Sequence, residues 1–152
     1  MSTSNENKTI EQKKALNKWA SNNFVGSIVA GTGFGKSRCG VLAVEHALKS
    51  GDRALVLVPT VQLQDQFRDE FKKWGLEHCL EAVDIICYQS AYKLQDQHYS
   101  IVIGDEIHLG LSKEYRKFFY NNTYDKLLCL TATLPEEEEY KNLLYKLAPI
   151  SY

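Results

Sequence analysis

The sequence has little net charge, no run of basic residues and no long apolar run. Its formal net charge is −1 over 152 residues, and its isoelectric point is about 6.4. Nothing in that balance draws nucleic acid to the whole molecule, so any such binding must come from a local patch. No apolar stretch approaches the ~20 residues that span a bilayer, so no membrane is expected as a partner. Residues 1–8 are polar and lack the apolar core of a secretory signal. The four cysteines, Cys39, Cys79, Cys87 and Cys129, are scattered; none form a Cys-x2-Cys pair, and no His/Cys cluster has zinc-ligand spacing. Buried, reduced thiols are expected, which points to a reducing compartment, the cytoplasm or a nucleus. There is no internal repeat, linker or low-complexity segment.

What is present begins with a core. Hydrophobic residues make up 44% of the chain, enough at this length for one globular domain. Within it, Ser27-Ile28-Val29-Ala30-Gly31-Thr32-Gly33-Phe34-Gly35-Lys36-Ser37 runs from apolar residues into a glycine-rich turn, and an amphipathic segment follows. Glycines at 31, 33 and 35 permit backbone angles closed to other residues. Such a turn aims successive N–H groups at an anion. Lys36 would set a positive charge against the β- and γ-phosphates of a nucleotide, and the Ser37 hydroxyl would hold Mg²⁺. The fit to the phosphate-binding P-loop is loose at one end, where Ala30 stands at the position of the first glycine. The plainer alternative is a glycine-rich turn that happens to end in Lys-Ser.

A second stretch narrows the choice. Tyr99 to Gly104 is an apolar run ending in Asp105-Glu106-Ile107-His108. A carboxylate at the end of a buried strand is what a magnesium-nucleotide site needs opposite its phosphate loop. Read alone, Asp105 and Glu106 could equally be a solvated strand end.

Helical and strand patterns alternate along the rest of the chain. Residues 1–8 are expected to be a flexible tail, with Thr9 capping a first helix. Strands are expected at 24–30, 53–58, 83–87, 99–104 and 126–130, with helices after most of them. Leu134-Pro135 should open the last helix, and Glu136 to Glu139 suit its positive N-terminal end. Near-continuous Val/Ile/Leu strands imply a mainly parallel sheet covered on both faces. The expected fold class is therefore α/β, three layers, with the segments after the strands gathered on one edge.

In this order the motifs resemble the first RecA-like domain of a superfamily 2 helicase, of DEAH/DExH type, over residues 9–152. Gly31 to Ser37 matches motif I. Val58-Pro59-Thr60 with Leu63 and Gln66 matches motif Ia, and Tyr88-Gln89-Ser90 matches the Thr-Tyr-Gln-Ser-like motif. Asp105-Glu106-Ile107-His108 matches motif II and Thr131-Ala132-Thr133 matches motif III. The 130–135 stretch is similar to the DNA-repair and phage recombination branch. The resemblance implies a RecA-like P-loop NTPase that binds ATP through Gly31, Thr32, Gly33, Phe34, Gly35, Lys36 and Ser37, with Gln12 reading adenine. A simpler role for Gln12 is a solvated helix position. It implies Mg²⁺ on Ser37 and Asp105, and Glu106 activating the attacking water. His108, Thr131 and Thr133 would couple nucleotide state to the nucleic-acid surface, where Pro59, Thr60, Gln89 and Ser90 would meet a phosphate backbone. Thr60 has a plain alternative as a helix cap.

In relatives a second RecA-like domain follows the position of Tyr152 and carries arginine fingers, worth ~10³–10⁵ in rate. The chain is therefore expected to bind ATP, to hydrolyse it weakly alone, and to need a second RecA-like domain in the same or a partner chain. The expected partner is DNA or RNA, more strongly DNA. The alternatives are a nucleotide-dependent binding module without useful catalysis and the motor part of a restriction enzyme. A small-substrate kinase would need an arginine-rich lid, but Arg38, Arg53, Arg68 and Arg116 are dispersed.

Overall fold

Short runs of Val, Ile and Leu, each ended by glycine, proline or a polar turn, set the strands. The computed structural model describes residues 2–152. The elements are α1 (Ser2–Ser21), β1 (Val25–Val29), α2 (Lys36–Leu48), β2 (Ala54–Val58), α3 (Val61–Lys73), β3 (Val83–Cys87), α4 (Tyr88–Ala91), β4 (His98–Gly104), α5 (Lys117–Asn121), β5 (Thr123–Thr131) and α6 (Glu138–Leu147). Single 3₁₀ segments at Glu77–Ala82 and Ile107–Leu109 bridge α3 to β3 and follow β4.

The five strands form one sheet in the order β1-β5-β4-β2-β3, and all pairs are parallel. Alternation along each strand splits the core in two. Ile28, Val56, Ile103 and Leu130 face α1, α2 and α3 with Trp19, Val44, Phe67 and Phe71. Leu55, Leu57, Val102 and Leu127 face the other way, with Tyr88, Phe118, Phe119 and Leu144. All five residues of β2 are buried, as a strand covered on both faces requires. The expected three-layer α/β/α architecture is what the chain adopts.

β1 is an edge strand in the sheet order, yet its outer side is covered. The backbone of residues 149–152 runs along it. Ser27 N–H donates to the Pro149 carbonyl at 2.8 Å, Ser151 N–H to the Ser27 carbonyl at 2.9 Å, and Val29 N–H to the Tyr152 carbonyl at 3.0 Å. Tyr152 then lays its ring 5.6 Å from that of Phe34 and donates its hydroxyl to Glu11.

Several boundaries differ from the sequence reading. Thr9 is not a cap: α1 begins at Ser2, within the stretch read as a tail, so Thr9 lies inside the helix. α6 begins at Glu138, not at Leu134, which leaves Glu136 and Glu137 ahead of it and only Glu138 and Glu139 in its first turn. β5 starts three residues early, at Thr123, because Thr123 and Tyr124 pair with His98 and Tyr99. Ser112 accepts the Tyr115 N–H at 3.2 Å, but the helix proper waits until Lys117. All four cysteines are free and buried. Among the described residues no helix is long and apolar enough to cross a membrane.

Candidate nucleotide site and nucleic-acid edge

Parallel strands place every following loop on one edge of the sheet, and register fixes which loops are neighbours. β1 and β5 end together, Val29 opposite Thr131, and Ala30 N–H donates to the Thr131 carbonyl at 3.1 Å. The chain then turns through Gly33 (φ 88°) and Gly35 (φ 84°), both in the left-handed region that favours glycine. A Cβ on Gly31 or Gly33 would meet nothing within 4 Å, so the loop faces open space. Gly35 is the N-cap of α2, and no side chain caps that helix. Its first N–H groups are thus left for an anion, aided by the positive end of the helix.

Lys36 is held within the loop it serves. Its Nζ donates to the carbonyls of Ala30 at 2.7 Å and Gly31 at 3.2 Å. Gln12, only 2% exposed, braces the loop from α1. Its Nε2 donates to the Phe34 carbonyl at 2.8 Å, and its Oε1 accepts from Arg38 at 3.2 Å. A Cβ on Gly35 would overlap that amide. Gln12 therefore lines the site as a brace, with both ends of its amide already engaged.

Asp105 and Glu106 face this loop. A single cleft of about 910 Å³ is lined by Thr32, Gly33, Gly35, Lys36 and Ser37 on one side and by Asp105 and Glu106 on the other. Burial first, and the neighbouring Glu106 second, push the Asp105 carboxyl up from 3.8 to about 7. Glu106 is in the left-handed region at φ 46° and ψ 51°, an uncommon place for a residue other than glycine. One of its carboxylate oxygens, Oε1, is buried with no hydrogen-bond partner. An orphaned carboxylate oxygen, a second carboxyl that resists ionisation and the Ser37 hydroxyl form a hard-oxygen set that suits Mg²⁺.

A short polar chain joins the turn after β4 to the end of β5; His108, Thr131 and Thr133 are not among the residues lining the cleft. The Thr131 hydroxyl donates to the Thr133 carbonyl at 2.7 Å and accepts the Thr133 N–H at 3.0 Å. Its single proton is spent, so the 2.9 Å contact with His108 Nδ1 must be a donation from the ring. That fixes the His108 tautomer and leaves Nε2 unprotonated when the ring is neutral.

Pro59, Thr60, Gln89 and Ser90 lie elsewhere. They follow β2 and β3, whose last residues Val58 and Cys87 pair, and none of them lines the cleft. Thr60, Gln89 and Ser90 are exposed and Pro59 half-buried. Thr60 caps α3, its hydroxyl accepting the Leu63 N–H at 3.2 Å, which leaves the hydroxyl proton free to donate. Phe34 turns its ring to Tyr152.

The far wall of the cleft escaped the sequence reading. Arg38 lies 3.9 Å from the centre of the Trp74 ring, and both line the cleft with Glu70, Lys73, Lys8 and Asn5. The signal available was a cation directly after Lys36-Ser37; its aromatic partner is 36 residues away, beyond the reach of any local pattern.

Residues 7–136 match the family described as "Type III restriction enzyme, res subunit". No curated protein has a matching sequence. Among solved structures the chain is similar to the UvsW helicase from bacteriophage T4, with a TM-score of 0.73 and 18% identity over 90% of this chain and 57% of that one. It is also similar to the Hef helicase domain of Pyrococcus furiosus, with a TM-score of 0.69 and 18% identity over 94% of this chain and 36% of that one. A third likeness is to the SWI2/SNF2 ATPase core of Sulfolobus solfataricus, solved in complex with dsDNA, with a TM-score of 0.74 and 15% identity over 91% and 35% of the two chains. At these identities the likeness is one of fold, the all-parallel five-stranded domain of RecA-like helicase lobes. The chain spans 57% of the length of the first of these structures and about a third of the other two.

Proposed function

Since the chain belongs to the Type III restriction enzyme, res subunit family, we propose that it is the ATP-binding and hydrolysing first lobe of a superfamily 2 DNA motor of DExH type. The observation that carries this reading is that Lys36 and Ser37 share one cleft with Asp105 and Glu106. The free N–H groups at the start of α2 receive the β-phosphate. Lys36 exchanges its bonds with the Ala30 and Gly31 carbonyls for the β- and γ-oxygens. Ser37 and Asp105 would hold Mg²⁺, which when bound supplies positive charge to the same oxygens. The orphaned Glu106 carboxylate orients a water toward the γ-phosphorus and takes its proton. The new P–O bond forms as the bond to the β–γ bridging oxygen breaks, and ADP leaves with those electrons.

Pro59, Thr60, Gln89 and Ser90 form the phosphate-backbone track, since exposed hydroxyls and amides suit contacts that ignore sequence. His108, two residues after Glu106, is bonded to the Thr131–Thr133 pair, and these three would couple nucleotide state to the nucleic-acid surface. A second RecA-like domain, in the same or a partner chain, supplies arginine fingers. The 130–135 stretch favours the repair and recombination branch, whereas the family description favours the motor part of a restriction enzyme. Lys36→Ala should abolish binding of a fluorescent ATP analogue, while Glu106→Gln should retain binding and lose hydrolysis. If both variants hydrolyse ATP as the parent does, the reading is wrong.

A further inference from the structure

Tyr88 joins the two functional regions. It is 2% exposed, opens α4, and directly precedes the exposed Gln89 and Ser90. Its ring lies so close under Gly110 that a Cβ there would overlap it, and the Tyr115 ring stacks on it at 6.2 Å and 20°. The phenol is thus wedged in one orientation, with its hydroxyl donating to the Asp105 carbonyl at 2.8 Å.

That carbonyl belongs to the peptide between Asp105 and Glu106. On the amide side of Asp105, N–H is fixed to the Leu57 carbonyl at 2.8 Å. Beyond the peptide, Glu106 sits at φ 46°, a strained geometry that persists only when its surroundings impose it. The Tyr88 hydroxyl holds the carbonyl that precedes Glu106, and the Leu109 N–H holds the Glu106 carbonyl at 2.9 Å. If the peptide rotates, the Glu106 carboxylate rotates with it.

We propose that Tyr88 is a positioning residue for hydrolysis, setting the Asp105–Glu106 peptide so that Glu106 faces the γ-phosphate, and that a nucleic-acid strand against Gln89 and Ser90 changes turnover through this hydroxyl. The inference rests on the nucleotide-cleft reading above. Burial holds the phenol pKa well above its usual value, so the donor persists across the working pH range. The hydroxyl moves no proton in the reaction; it holds a backbone oxygen.

The test compares the parent with Tyr88→Phe, Tyr115→Phe and Glu106→Gln in single-turnover ATP hydrolysis with Mg²⁺, with and without an oligo-dT strand. Affinity for a fluorescent ATP analogue and a thermal melt are measured beside it. Tyr88→Phe should lose at least about tenfold in turnover, keep nucleotide affinity within about twofold, and no longer respond to an oligo-dT that accelerates the parent. Tyr115→Phe, in the same stack without the bond to Asp105, should turn over as the parent does. The inference is overturned by parental turnover in Tyr88→Phe, by equal losses in the two Phe variants, by a loss of turnover matched by a loss of affinity, or by a parent indifferent to oligo-dT. Should Glu106→Gln hydrolyse ATP like the parent, the fault lies with the cleft reading itself.

Discussion

Asp105 makes the stability of the nucleotide-free chain depend on pH. Burial and the adjacent Glu106 raise its carboxyl from 3.8 to about 7. The folded chain therefore binds a proton that the unfolded chain has released. The stabilisation from that proton is complete below pH ~4 and is lost as pH rises through ~7. Between pH 5 and 8 the shift is worth about two pKa units, or about 3 kcal/mol. Asp105→Asn cannot titrate, so the stability difference between parent and variant should move by that amount across the interval, in the variant's favour at high pH. Urea denaturation in EDTA at half-unit steps of pH measures it, and taking the difference removes titrations common to both proteins. A difference that stays constant from pH 5 to 8 would refute the reasoning. Under the proposed function the same substitution should also weaken magnesium-dependent nucleotide binding, because Asp105 would be one of the ligands of the cation.

Other outcomes follow from single contacts. Thr60→Ala removes the acceptor for the Leu63 N–H and should lower stability by about 1 kcal/mol in urea denaturation; no measurable change would show that the cap is energetically idle. Burial pushes the Cys39 and Cys129 thiols up to about 12, and Cys79 and Cys87 are also raised by burial. A thiolate-specific reagent should therefore label none of the four in the native chain at pH 8 and all of them in denaturant. Rapid native labelling would contradict the burial of these positions.

The strands were legible because their apolar runs are short, dense and sharply ended. Val83 to Cys87 falls where its pattern placed it, and the amphipathic segment after the glycine-rich turn is helical from Lys36. Residues 2–8 contain no apolar residue to carry a helical period, so the first two turns of α1 left no trace in the pattern. Thr123 to Asp125 read as polar because that end of β5 lies at the rim of the sheet, half exposed. The glycine-rich turn ending in Lys36-Ser37 and the acidic pair were visible because each is a compact local motif. The Gln12 brace, the Arg38–Trp74 wall and the bond from Tyr88 to Asp105 were not, since each joins residues that only the tertiary fold brings together.

The segment that runs alongside β1 has a counterpart at the other end of the sheet. There the Gln64 side chain donates to the Ile85 carbonyl at 2.8 Å, and β3 carries the exposed Asp84. A parallel sheet with bare margins invites a strand from another molecule. Here one margin is occupied by the chain's own backbone, and the other presents a charge and an acceptor already satisfied. Copies of this domain that meet at high concentration find one edge closed by backbone and the other guarded by the Asp84 charge, which steers self-association away from strand pairing.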